Sequence, residues 1–522
     1  MIREVPTGDL GLDVLLGGGW RLVERLPGRE SATVLLRGGP GTGKTLLSVD
    51  VALALAGALD GDVVVACVEL LPSEYIAQIH AGRAELVLQW REGQQLAEPR
   101  MMMLPHSSPV GAAKSPRIFC GLVAELDPST PDLVAALESL RREVAALNGK
   151  PVAFIVDSLI SGYGLGLAAP RQNVDAVMKF AAQEGVGLVL CEEAPDDTPS
   201  AWDFSADTVL ALEHHREGGR QIFVRKHRYG PSAPGAHQLE IGGWKQPRVG
   251  PRPDAWFGRH RIETTLRGHG WIFMNAHEYP PLQWIDDLAP TPSEPGRYGC
   301  SFAVVSGPNL ELARKLALGL VPADSKSRRD IVIELDPLGL GFHSDGWSSN
   351  LVDVHFLPVS AGPNAAVCEL VEYLGSRLFA GKDDAKRPRR IVIGDVATVA
   401  AFPDNAMWAE AIRVIAALVA DSGWGIPVIA YDSSAVSATG LGGLALLRWR
   451  AELVVEVNYS KDGNAVGHAT SRPDGTFDTL HWSDAVLAGP WPKEIAHLER
   501  LPGPSRRGLW KKVVTEGNIK VE

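Results

Sequence analysis

The chain has 522 residues, more than one hydrophobic core commonly organises, so about two to four domains are expected. Apolar residues make up 45% and charged residues 22%, the balance of a soluble globular chain rather than a disordered or membrane-spanning one. Lys plus Arg number 51 against 62 Asp plus Glu, and the net charge of −11 disfavours nonspecific attraction to nucleic acid or to an anionic membrane.

The N-terminal residues MIREVPTGDLG show no charged-then-apolar leader pattern, and no run of about 18 apolar residues offers a membrane span, so a cytoplasmic location is expected. Five cysteines, Cys67, Cys120, Cys191, Cys300 and Cys368, lie far apart in apolar runs without CxxC or Cys/His spacing, which reads as buried thiols.

The strand-like SATVLLR is followed by Gly38-Gly-Pro-Gly-Thr-Gly-Lys-Thr45 and then by the helix-forming LLSVDVALALA. This is a full G-x-x-x-x-G-K-[ST] match in strand–loop–helix context. Such glycines let backbone N–H groups turn inward around a polyphosphate at a helix N-terminus, where the helix dipole also favours negative charge. Gly38, Gly39, Pro40, Gly41, Thr42, Gly43, Lys44, Thr45 and Leu46 are the expected ATP-binding residues, with Lys44 reaching the β- and γ-phosphates and Thr45 the Mg2+.

A second Mg2+ ligand is expected at the end of an apolar strand. PVAFIVDS supplies Asp157, behind a helix with Thr130 as N-cap, Pro131 at its first position and Leu133, Leu137, Leu140, Val144 and Leu147 on one face. The strand in DVVVACVELLPSEY ends in Glu69, a carboxylate suited to orienting water for in-line attack on the γ-phosphate; a solvated strand-end glutamate is the alternative.

These ordered motifs resemble the KaiC-type ATPases of the RecA superfamily. Thr7 to Gly19, TGDLGLDVLLGGG, resembles the family's lead-in, and Glu69-Leu-Leu-Pro72 resembles its Glu-Glu-x-Pro element with one glutamate in place of two. VRKHRYGPSAPGAHQLEI resembles the segment in which a lysine and an arginine reach the neighbouring subunit's γ-phosphate. By match these are Lys226 and Arg228, an arginine finger supplied in trans, and the resemblance implies a homo-oligomeric ring, a hexamer. Glu192 and Glu193 at the end of GVGLVLCEE are assigned no role.

The second half repeats the pattern with the cradle missing. Gly307-Pro308 followed by Glu334-Leu-Asp-Pro337 echoes Gly39-Pro40 and Glu69-Leu-Leu-Pro72, with a three-residue deletion in the loop. Asp395 ends RRIVIGD as the counterpart of Asp157, ADTVLALE matches AELVVEVN, and Arg228 meets Arg472 while Lys226 meets Thr470. SGPNLELARK has no counterpart of Gly43, Lys44 or Thr45, and Lys315 lies too far along to substitute.

The expected architecture is α/β: two tandem RecA-like P-loop domains with mostly parallel central sheets flanked by helices. Residues 1–245 form the ATPase domain, 246–298 a Pro/Gly/Trp-rich connection, 299–500 the degenerate domain and 501–522 a basic tail. Trp256, Trp271 and Trp284 read as packing anchors, and the degenerate domain or the tail as the place for a protein partner. The expected function is ATP hydrolysis by the first domain. An ATP-dependent scaffold with little turnover and a DNA-handling recombinase are the alternatives.

Overall fold

Short β-branched and apolar runs, closed by glycine or an acidic residue, give the chain its strands, and alanine- and leucine-rich stretches between them give its helices. The computed structural model describes residues 1–82, 101–104, 116–123, 132–159, 169–194, 198–215, 219–241 and 247–257 of the first half. Of the second half it describes 302–307, 310, 313–314, 317, 330–336, 352–378, 388, 390–400, 402, 404–421, 426, 428–433, 447, 451, 453–459, 465–471, 476–482, 498–501, 509–512 and 520–521. The chain divides into two units, Met1–Gly268 and His269–Glu522.

In the first unit β1 (Ile2–Val5), α1 (Leu10–Leu15), β2 (Trp20–Leu26) and β3 (Arg29–Gly38) lead to α2 (Lys44–Ala58). There follow β4 (Asp62–Cys67), α3 (Pro72–Gly82), β5 (Met101–Leu104), β6 (Ile118–Leu122), α4 (Leu133–Ala146) and β7 (Pro151–Leu159). The unit closes with α5 (Arg171–Glu184), β8 (Gly187–Glu193), α6 (Ala201–Ser205), β9 (Thr208–His214), β10 (Arg220–His227), β11 (His237–Glu240) and β12 (Arg248–Gly250). The sheet runs β12-β11-β10-β9-β3-β8-β7-β4-β6-β5, with β1 and β2 attached beside β3. Its centre, from β9 to β6, is parallel, and both flanks are antiparallel.

Alternation along the central strands divides the core into two faces. Val63, Val65 and Cys67 of β4, Ala153 and Ile155 of β7, and Val189 and Cys191 of β8 pack with Leu47, Val51 and Leu55 of α2. The intervening Val64, Phe154 and Leu188 pack with Leu137 and Leu140 of α4 and Val177 of α5. Asp157 shares the parity of Ala153 and Ile155, so the pleat sends it toward the α2 side. The helix before β7 starts later than its sequence suggests: Asp132, not Thr130, is the cap, its Oδ1 accepting from the Ala135 N–H at 2.9 Å. Thr130 and Pro131 lie outside the described residues.

The segment expected as a connection begins inside this unit. Arg248–Gly250 is the last strand of the sheet, and Trp256 is buried as expected, while Trp271 and Trp284 lie outside the described residues.

The second unit contains β13 (Phe302–Ser306), β14 (Asp330–Asp336), β15 (Val352–Pro358), α7 (Pro363–Leu378) and β16 (Ile391–Gly394). Next come α8 (Ala397–Ala400), α9 (Asn405–Asp421), β17 (Val428–Asp432), β18 (Leu453–Tyr459), β19 (Ala465–Ser471) and β20 (Thr476–Trp482). The tail is not a bare extension: β21 (Leu498–Leu501) and β22 (Leu509–Lys512) pair as a hairpin, and β23 (Lys520–Val521) joins β20.

The order β15-β14-β16-β17-β13-β18-β19-β20 repeats β6-β4-β7-β8-β3-β9-β10-β11 strand for strand, with the same parallel and antiparallel pairings. Registers agree as well. In the first unit Leu36 lies opposite both Cys191 and Leu210, and Asp157 opposite both Cys67 and Cys191. In the second, Val305 lies opposite Tyr431 and Val455, and Gly394 opposite Glu334. The relative stagger of neighbouring strands is therefore the same in the two sheets.

Candidate functional site

The loop between β3 and α2 is shaped by close approach. A Cβ on Gly38 would lie 2.3 Å from the Leu212 carbonyl oxygen, and one on Gly43 would lie 1.7 Å from Ile241 Cδ1. Gly43 also has φ +101°, where side chains are strained. Thr42 Oγ1 donates to the Gly39 carbonyl at 2.9 Å, and Lys44 Nζ folds back onto the carbonyls of Gly38 and Gly39, both at 2.8 Å. Lys44, 8% exposed, thus has its ammonium parked inside the loop on two backbone carbonyls.

Around this loop the sheet gathers the predicted acidic residues. Asp157 comes from β7, inside the strand rather than at its end, and Glu69 from two residues beyond β4. Ser158 Oγ donates to Glu69 Oε1 at 2.8 Å, which anchors an otherwise exposed side chain. Asp157 is held above the usual carboxylate range, first by burial and also by the Glu69 charge, against the opposing Thr45 hydroxyl hydrogen bond and the Lys44 charge. Its Oδ2 is buried and has no hydrogen-bond partner.

That orphaned oxygen, on a carboxylate that the Thr45 hydroxyl hydrogen-bonds, tests whether the residues fit Mg2+. A hard cation of this kind takes one or two protein oxygens and completes its shell with phosphate and water. Thr45 and Asp157 supply that set. No cluster of three or more His, Cys, Asp or Glu occurs among the described residues, and this mode of binding needs none.

The raised Asp157 pKa fixes a sign. The folded chain holds a proton that the unfolded chain has released, so this group costs stability as pH rises through the interval between the two values. Asp157→Asn is therefore expected to raise the melting temperature of the protein at pH 7, a gain that disappears below about pH 4. Thermal melts across pH check it.

Lys226 and Arg228 lie elsewhere. Lys226 Nζ donates to the carbonyls of Asp203 (2.8 Å) and Phe204 (2.9 Å), and Arg228 Nη2 to Phe204 (2.8 Å). Burial, then the neighbouring Arg228, lowers the Lys226 pKa. Both residues sit at the end of the sheet where Thr208 pairs with His227, whereas Leu212 of the same β9 pairs with Gly38. At about 3.3 Å per residue, roughly 20 Å of β10 separates Lys226 from the loop end of that strand. The pair does not reach its own loop.

Two side chains that the sequence reading missed do reach it. Arg220, first in β10, donates from Nε to the Gly41 carbonyl (3.1 Å) and from Nη1 to Ile241 (3.0 Å). His214, last in β9, sets Nε2 3.3 Å from the Pro40 carbonyl. Only the pairing of Arg220 with His214 across the hairpin brings both to the loop, and no local motif signals that.

Glu192 gains a role as well. On the opposite face from α2 it pairs with Arg37 at 2.8 Å, and Arg37 also meets Asp203 at 2.9 Å. Ser200 Oγ donates to Glu192 at 3.2 Å, and Ser200 and Asp203 form a capping box for α6. Burial raises the Glu192 pKa against the Arg37 charge. The lead-in motif is likewise structural: Asp9 caps α1, and the Asp13 carboxylate accepts from the Thr7 N–H at 2.7 Å. Cys67, Cys120, Cys191 and Cys368 are buried thiols as expected, and Cys300 lies outside the described residues.

In the second unit the same position is filled. Glu334 lies inside β14 whereas Glu69 lies two residues beyond β4, and Asp395 lies one residue beyond β16 whereas Asp157 lies inside β7. A Cβ on Gly394 would lie 2.5 Å from two atoms of the Tyr431 ring, so the ring fills the space beside the end of β16. Tyr431 donates to Glu334 Oε1 (2.6 Å), and Arg314 Nη2 bonds Glu334 Oε2 (2.8 Å). Asp395 instead accepts from the N–H groups of Ala397 (3.0 Å) and Ser433 (2.9 Å). Lys315 and Arg472 lie outside the described residues.

Removing one partner of the buried Arg314–Glu334 pair leaves a charge uncompensated, so Glu334→Ala is expected to destabilise the second unit by about 3–5 kcal/mol. Denaturant unfolding of the variant measures it.

No protein-family model matches the chain, and no curated protein matches it. No helix among the described residues is long and apolar enough to cross a membrane.

Proposed function

We propose that the chain is a KaiC-like, RecA-type P-loop ATPase whose first unit binds and hydrolyses MgATP while the second is a degenerate copy, and that it works as a ring of identical subunits. The observation that carries this is the convergence of Lys44, Thr45, Glu69 and Asp157, the last with a buried oxygen lacking a partner, on one glycine-rich loop.

In this reading Lys44 leaves the loop carbonyls for the β- and γ-phosphates, and Thr45 and Asp157 hold Mg2+, which neutralises phosphate charge. Glu69, held by Ser158, orients the attacking water and draws on its proton. Lys226 and Arg228, at the far end of the sheet from their own loop, serve the neighbour's γ-phosphate. The plugged second unit supports a division of labour in which that unit takes no nucleotide.

Complementation tests the ring. Lys226→Ala with Arg228→Ala, and separately Lys44→Ala, are each expected to lose most phosphate release. Their co-assembled mixture creates interfaces where an intact loop meets an intact basic pair, so part of the activity returns. A co-assembled mixture as inactive as either parent contradicts the trans-acting role.

A further inference from the structure

We infer that Arg220 and His214 are positioning residues that hold the tip of the glycine-rich loop from outside, so that its amides face the nucleotide phosphates. The inference rests on the nucleotide-binding reading of that loop.

In a planar peptide the C=O and the following N–H point in opposite directions. Arg220 holds the Gly41 carbonyl and His214 the Pro40 carbonyl, both on the hairpin side. The N–H groups of Thr42 and Gly41, which belong to those same two peptide units, are thereby turned away from the hairpin. Among the described residues no hydrogen bond takes either of these N–H groups. They are the donors a polyphosphate would use.

Arg220 does more than touch the tip. Its Nη1 holds the Ile241 carbonyl, and the Ile241 side chain lies where a Cβ on Gly43 would stand. One guanidinium therefore links the tip at Gly41 to the residue that walls the helix end at Gly43. Gly41 itself has φ +70° and open space on its Cβ side apart from His214 Nε2 at 3.7 Å. A loop with several glycines loses much conformational freedom on binding, and fixing it beforehand reduces that cost. A planar fork with several donors can bridge two carbonyls, which an ammonium cannot.

Affinity, rather than the chemical step, should therefore depend on Arg220. With the full chain, calorimetric titration with MgATP is expected to show about ten-fold weaker binding for Arg220→Ala, the scale of a hydrogen bond from a charged donor. KM for ATP rises by a similar factor while kcat falls less than about three-fold, the pattern of lost binding shared by ground and transition states. Arg220→Lys recovers part of the affinity by reaching Gly41 alone. Melting of the nucleotide-free variant stays within about 2 °C of the parent, because Gly41 is exposed and Ile241 partly exposed, so water can replace the bonds lost.

Unchanged affinity in Arg220→Ala, or a loss of nucleotide-free stability that matches the loss of affinity, overturns the positioning role and leaves the ATPase reading standing. A parent chain that takes up no MgATP overturns both.

Discussion

Lys44→Ala is expected to weaken MgATP binding by about 100-fold or more, because the loop loses a charged donor to two phosphates at once. The nucleotide-free fold should tolerate the change. Lys44 Nζ bonds the carbonyls of Gly38 and Gly39 in the free loop, and the partly exposed Gly39 carbonyl can turn to water. Equilibrium titration with MgATP, beside a thermal melt, separates the two effects. Retained affinity would remove the loop from nucleotide binding altogether.

Glu69→Gln has the opposite profile. The amide keeps the size of the carboxylate and still accepts from Ser158 Oγ, so the geometry around the loop survives. What it loses is the negative charge that polarises water, so turnover is expected to fall by about ten-fold or more with nucleotide affinity unchanged. Single-turnover phosphate release measures it. If turnover persists, another group orients the water, or nucleotide serves assembly and not hydrolysis. Loss of the Glu69 charge also removes one of the influences that hold the Asp157 pKa up, so the pH profile of Mg2+-dependent binding should move to lower pH.

The cradle was legible in the sequence because its chemistry lives in eight consecutive residues between a readable strand and a readable helix. Asp157 was legible for a similar reason: an apolar run ending in an acidic residue fixes both burial and the face it points to. The α/β class and the repetition of the second half followed from the same local patterns, and the strand order then showed how closely the halves agree.

What stayed hidden depends on pairing between distant strands. Glu334-Leu-Asp-Pro337 looks like Glu69-Leu-Leu-Pro72, yet Glu334 lies inside β14 while Glu69 lies two residues beyond the end of β4. Gly394 and Tyr431 explain each other: the glycine, without a Cβ, makes room for the ring packed against it. Linear alignment sets Asp395 opposite Asp157 because each closes an apolar run, RRIVIGD and PVAFIVD. Arg220 and His214 were passed over for a like reason, since they resemble any polar hairpin end until β9 and β10 are paired and laid beside the loop. The same pairing carries Lys226 and Arg228 away from their own loop, a separation that residue numbers alone do not reveal.

The central claim is that one unit of each chain takes MgATP and the other, plugged by Tyr431 and the Arg314–Glu334 pair, does not. Counting nucleotide bound per chain at saturating MgATP, in the assembled protein, tests it most directly. The account predicts one nucleotide per chain, falling to none in Lys44→Ala. Two per chain, or one that survives Lys44→Ala, would contradict it.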